Sequence, residues 1–121
     1  MVTISDATVT LMVQDLDRSV EFYRDMLGFA VSFGGPHFRM LEGASLKLGL
    51  HSGRARPGVG VRDPSLSIGL RVDDIQTAVA ELEAQGVRFP EGIIDDDGAI
   101  QRAPFVDPDG TALYLLEVGG G

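Results

Sequence analysis

Residues 7–29, ATVTLMVQDLDRSVEFYRDMLGF, change their period halfway along. Val9, Leu11 and Val13 recur every second residue, which predicts a strand buried on one side only. From Leu16 the apolar residues step by four, three and four through Val20, Tyr23 and Leu27, the stripe of an amphipathic helix. Asp15 and Asp17 stand at the junction, where a carboxylate accepts hydrogen bonds from the free N–H groups of a first helical turn. Gly28 stands where the helix must stop and where a left-handed backbone suits glycine.

The same text recurs. A shift of 59 positions carries Val9 onto Ile68, Leu11 onto Leu70, Val13 onto Val72, Asp15 onto Asp74, Leu16 onto Ile75, Val20 onto Val79 and Tyr23 onto Leu82. Asp73 and Asp74 open the second helix, and Gly86 closes it one residue out of step with Gly28. Strand-like segments follow each helix: FAVSF, HFRML and SLKLGLH in the first half, VRF, RAPFVD and ALYLLE in the second. The turns EGAS and DPDGT precede equivalent last strands. A repeat of this length marks one supersecondary unit used twice. The reading is a single domain over 1–121, with modules at 7–51 and 66–118, each running strand, helix, three strands. The stretch 52–65, rich in glycine and proline and without period, is the linker.

Composition narrows the function. The chain of 121 residues is 44% apolar and 23% charged, ordinary for a globular domain. Eighteen acidic residues against 10 basic ones leave a net charge of −8, which argues against nucleic acid as a partner, whose phosphates need a basic face. No apolar run is long enough to span a bilayer, so no membrane partner is expected. The start, MVTISDATVT, lacks the basic and apolar regions of a secretory signal, and a cytoplasmic location is the expectation. The absence of cysteine removes disulfides, thiolate metal sites and cysteine nucleophiles together.

The doubled module, with VQDLDRSVEFYRDMLGF in the first half and FVDPDGTALYLLE in the second, resembles the vicinal oxygen chelate superfamily of glyoxalase I, extradiol dioxygenases and bleomycin-resistance-type binding proteins. The resemblance implies an α+β fold in which two βαβββ modules form a curved mixed sheet around a cleft, with the helices outside. It also implies a homodimer. The enzymes of that superfamily hold a divalent metal through His, Gln or Glu on the first and last strands of each module. Residue by residue, those positions fall on Thr8, Lys47, Ser67 and Tyr114 here. Hydroxyls bind such ions weakly, a protonated amine repels them, and a phenol must first lose its proton. No metal and no cofactor are therefore expected.

Strand alternation puts Thr8, Thr10 and Met12 on the cleft side of the first strand and Ser67 and Arg71 on that of its repeat. Lys47, His51 and Tyr114 share that side on the last strands. Tyr114 offers an aromatic face and a hydroxyl, Lys47 and Arg71 offer cations to a carboxylate or phenolate, and His51 could serve as a contact or base. Phe38 and Phe105, on strands whose facing the pattern leaves open, join these as candidates for stacking on a flat ligand. DDDG at 95–98 and DPDG at 107–110 lack the full calcium loop with its closing Glu and read as turns. The expected function is metal-independent sequestration of a small drug-like or natural-product ligand, aromatic in character. The alternatives are a metal-dependent lyase or dioxygenase with recruited ligands, and a metal-free enzyme using Tyr114 or His51 as acid or base.

Overall fold

The computed structural model describes residues 1–52, 66–96 and 98–119. It divides into two compact units, Met1–Val61 and Arg62–Gly121. The first unit contains β1 (Thr8–Met12), α1 (Leu16–Glu21) running into a π-helical turn (Phe22–Met26), β2 (Ala30–Gly35), β3 (Phe38–Gly43) and β4 (Leu46–His51). Its sheet has the order β1-β4-β3-β2, with β1 parallel to β4 and the other pairs antiparallel. The second unit contains β5 (Ile68–Arg71), α2 (Ile75–Ala84), β6 (Ile94–Asp96), β7 (Ile100–Val106) and β8 (Ala112–Val118), ordered β5-β8-β7-β6 with the same directions. Each repeat is thus a βαβββ module with its own mixed four-stranded sheet. The expected linker, apart from Ser52, lies outside the described residues.

In each unit the helix covers one face of the sheet. Leu11, Val13, Leu41, Leu48 and Leu50 meet Leu16 and Val20 in the first; Ala103, Phe105, Leu113 and Leu115 meet Ile75, Val79 and Leu82 in the second, all of them buried. Asp15 and Asp74 cap the helices as the repeat predicts, accepting from the Arg18 and Thr77 backbone N–H groups at 3.1 Å each. Helix α2 closes conventionally: the Val87 N–H reaches the Leu82 carbonyl at 3.0 Å while Gly86, at φ +96°, takes the left-handed position. The first helix departs from its expected stripe. There the Phe29 N–H reaches back six residues to Tyr23, at 2.9 Å, and the widened turn rotates both Phe22 and Tyr23 inward. Leu27, the expected last member of the stripe, is half-buried.

One expected strand is displaced. Val87–Phe89 forms no ladder; Val87 and Phe89 are buried as core anchors, and Pro90, which lacks an N–H, follows them. The strand of that place comes later, as β6. DPDG is a turn, as expected, while Asp95 and Asp96 of DDDG end β6 and Gly98 lies in a turn. The Asp95 carboxylate accepts from the Gly98 N–H at 3.0 Å, and that of buried Asp107 accepts from Asp109 and Thr111 N–H at 2.9 and 2.8 Å. A further tie holds the module together, as the Glu117 carboxylate accepts from the Ile75 N–H at the start of α2, at 2.9 Å. Among the described residues no helix is long and apolar enough to cross a membrane.

The two-residue turn joining β3 to β4 is occupied by Ala44 and Ser45, at φ +50° and +63°. Such a turn asks for Asn-Gly, because a Cβ in the left-handed region costs about 1 kcal/mol per residue. The double variant Ala44→Asn/Ser45→Gly should raise stability by about 1 kcal/mol in urea denaturation, and Leu48→Ala, at a fully buried position, should lower it by about 2–5 kcal/mol.

Candidate functional site

Covering one sheet face with a helix leaves the other open, and the ladder registers fix what stands on it. In the first unit three rows cross the four strands: Met12–His51–Phe38–Gly35, Thr10–Gly49–Met40–Phe33 and Thr8–Lys47–Glu42–Ala30. Phe38 lies over Gly49, where a Cβ would come within 3.2 Å of its ring and 3.0 Å of the Thr10 hydroxyl oxygen. Its ring centroid is 6.0 Å from that of Phe33 and 6.3 Å from that of His51. The result is an aromatic strip whose outer member, Phe33, is 61% exposed.

In the second unit the rows are Arg71–Leu116–Arg102–Ile94 and Gly69–Tyr114–Pro104. Val106 with Ala112, and Ile100 with Val118 and Asp96, continue the same face. Tyr114 repeats the device of Phe38. A Cβ on Gly69 would collide with its ring carbon Cζ and fall 2.5 Å from its hydroxyl, so the tyrosine lies across β5. Arg102 is held by Asp96 at 2.7 Å.

Thr8, Thr10, Met12, Lys47, His51, Arg71, Tyr114 and Phe38 all stand on the open faces, and exposed Ser67 immediately precedes β5. Phe105 does not. It is 3% exposed, pairs with core-facing Leu113 and packs on Phe89 with centroids 5.2 Å apart, so it is a core residue and not a ligand contact. Phe33, Met40, Glu42, Pro104 and Leu116 join the face beyond the residues expected there. Glu42 was within reach of the pattern, since a two-residue turn at Ala44–Ser45 sets it opposite Lys47.

Thr8, Lys47, Ser67 and Tyr114, the positions expected from the resemblance to correspond to metal ligands, have a chemistry the structure fills in. Thr8 is the lateral neighbour of Lys47, whose ammonium is paired with Asp6 from the N-terminal segment and lies 3.9 Å from Glu42. The hydrogen bond from Lys47, helped by the Ala7 N–H, holds the Asp6 carboxyl below its usual range; the bond to Asp6 in turn raises the Lys47 ammonium, which stays charged. In the second unit Tyr114 sits beside Gly69, and Ser67 falls one open-face position earlier. A hydroxyl, a fixed ammonium, a second hydroxyl and a phenol do not fit a divalent ion. Among the described residues no three His, Asp or Glu side chains are grouped to hold one.

The model of the glyoxalase/bleomycin resistance protein/dioxygenase superfamily matches residues 7–115. An uncharacterized protein of Mycolicibacterium smegmatis is 33% identical over 108 residues, 88% of each chain. Among solved structures, a glyoxalase/bleomycin resistance protein/dioxygenase from Nocardioides superposes with a TM-score of 0.76 at 25% identity, covering 99% of this chain and 89% of that one. A bleomycin resistance determinant encoded on the transposon Tn5 does so with a TM-score of 0.70 at 26% identity, covering 95% and 98%.

The ion pair has a defined pH window. With its folded pKa lowered, Asp6 contributes stability above its ordinary value of 3.8 and loses it as pH falls through the lowered one. Lys47, raised, contributes below 10.5 and loses it as pH rises past the raised value. Asp6→Asn should therefore melt slightly below the wild type at pH 7 in low salt. The gap should close in 1 M NaCl and as the pH falls below the folded pKa of Asp6, as followed by circular dichroism.

Proposed function

As the chain belongs to the glyoxalase/bleomycin resistance protein/dioxygenase superfamily, we propose that it is a member that works without the metal, binding and sequestering a small, flat, largely apolar ligand on its open sheet faces. The observation that carries this reading is the fate of the metal-ligand positions. Lys47 brings its own fixed positive charge to one of them and is neutralised internally by Asp6, so the site is electrostatically complete without an ion. The second support is the pair of rings laid over glycines, Phe38 on Gly49 and Tyr114 on Gly69, which build flat aromatic surface on faces that a helix leaves uncovered. Kinship with a resistance determinant at 26% identity over nearly the whole of both chains agrees with a sequestering role. A homodimer, expected of short members of the family, belongs to the same proposal.

Elemental analysis of the purified untagged protein, after exposure to zinc, nickel, iron and manganese and dialysis, tests the reading directly. Less than about 0.1 equivalent of retained ion per chain is expected, together with a rise in melting temperature on screening planar aromatic compounds. About one tightly held divalent ion per chain would overturn it.

A further inference from the structure

We propose that the open face of the second unit carries an anion-anchoring site, made by Arg71 and Tyr114, that takes the carboxylate of a planar small molecule. The proposal rests on the ligand-binding reading above and names the chemical class of the ligand. Its basis is the difference between the cations of the two open faces. Lys47 is held by Asp6 and Arg102 by Asp96, but among the described residues the Arg71 side chain forms no ion pair or hydrogen bond. Arg71 and Arg102 share one row across the sheet, on either side of Leu116, with Asp96 answering only the second. Among the described residues this face thus holds Arg71 and Arg102 against Asp96, whereas the first unit's face holds Lys47 against Asp6 and Glu42.

Geometry adds the second donor. Because Gly69 has no side chain, Tyr114 lies across β5 and carries its hydroxyl out over the strand that bears Arg71. Gly69 and Arg71 are two residues apart on one strand, so the Arg71 side chain leaves the face that Tyr114 covers at Gly69, about 7 Å further along the strand. A guanidinium fork that is charged at every working pH and a phenolic O–H are both donors, and a carboxylate accepts from both. The floor beside them is apolar, formed by Leu116, Pro104 and Val106, the last 57% exposed. A flat ring bearing a carboxylate matches that arrangement: the ring against the apolar floor, the oxygens toward Arg71. An ammonium in the same place would face the Arg71 guanidinium, whose charge no described carboxylate answers, and is disfavoured.

The test uses the full chain, labelled with 15N, titrated with benzoate, benzamide and benzylammonium. Benzoate should shift the backbone amide signals of Gly69, Arg71 and Leu116 saturably and bind at least tenfold more tightly than isosteric benzamide, with benzylammonium weakest. Arg71→Gln, at an exposed position, should bring benzoate down to the level of benzamide and leave benzamide unchanged. Tyr114→Phe should weaken benzoate by a smaller factor while the ring keeps its place over Gly69. Equal binding of benzoate and benzamide, or an Arg71→Gln variant that binds benzoate as the wild type does, would overturn the anion site and leave the ligand-binding reading standing. Failure of all three probes to shift this face would overturn the site and count against that reading as well.

Discussion

Everything on the open faces depends on one pairing, the parallel ladder between the first and last strands of each module. A strand that leaves a sheet, crosses as a helix and returns in sequence must bury that helix against one face. The direction of β1 beside β4, and of β5 beside β8, decides which side chains lie under it. The ladders are continued beyond the strands by the Val13 N–H to the His51 carbonyl at 2.9 Å and the Val72 N–H to the Leu116 carbonyl at 2.8 Å, so the register holds to the helix entry. A slip of one residue would turn Leu48 and Leu50 out and Lys47 and His51 in, a change no core would survive. The chemistry of the face is therefore set by the same contacts that hold the fold.

Within that frame the two modules have diverged by different means. In the first, Lys47 carries a charge satisfied from within, through Asp6 in a segment that belongs to no strand. The second has Tyr114 on its last strand, and the ring needs the vacancy of Gly69 beneath it. Both features shape what the face can bind while leaving the buried leucines untouched. This is how one fold comes to serve unrelated chemistries.

What the amino-acid sequence reveals follows the same division. Strands buried on one side announce their facing, because apolar and polar residues alternate, and Thr8, Lys47, Arg71 and Tyr114 are placed by that alternation alone. Phe33 is not, because the register shifts between Val31 and Phe33, and the irregularity sends two residues of like parity to opposite faces. Phe105 is hidden for another reason. In β7, Ala103 and Phe105 alternate with Pro104 and Val106, so both faces are apolar and the pattern has no polarity to read. Val87 and Phe89 flank Arg88 as a strand would, yet they anchor a segment that has no partner to pair with. The Lys47–Asp6 pair joins residues 41 apart, one of them in a stretch without any period, and no local rule connects them.

That ion pair also shapes the routes by which the chain can change. Replacing Lys47 with a metal-binding carboxylate would set three acids, the new one with Asp6 and Glu42, against each other with no cation among them. A single substitution toward a metal-binding carboxylate at this position therefore passes through a repulsive intermediate unless Asp6 changes first. On the reading proposed above, the order of substitution, and not the fold, would decide whether this face could come to hold a metal.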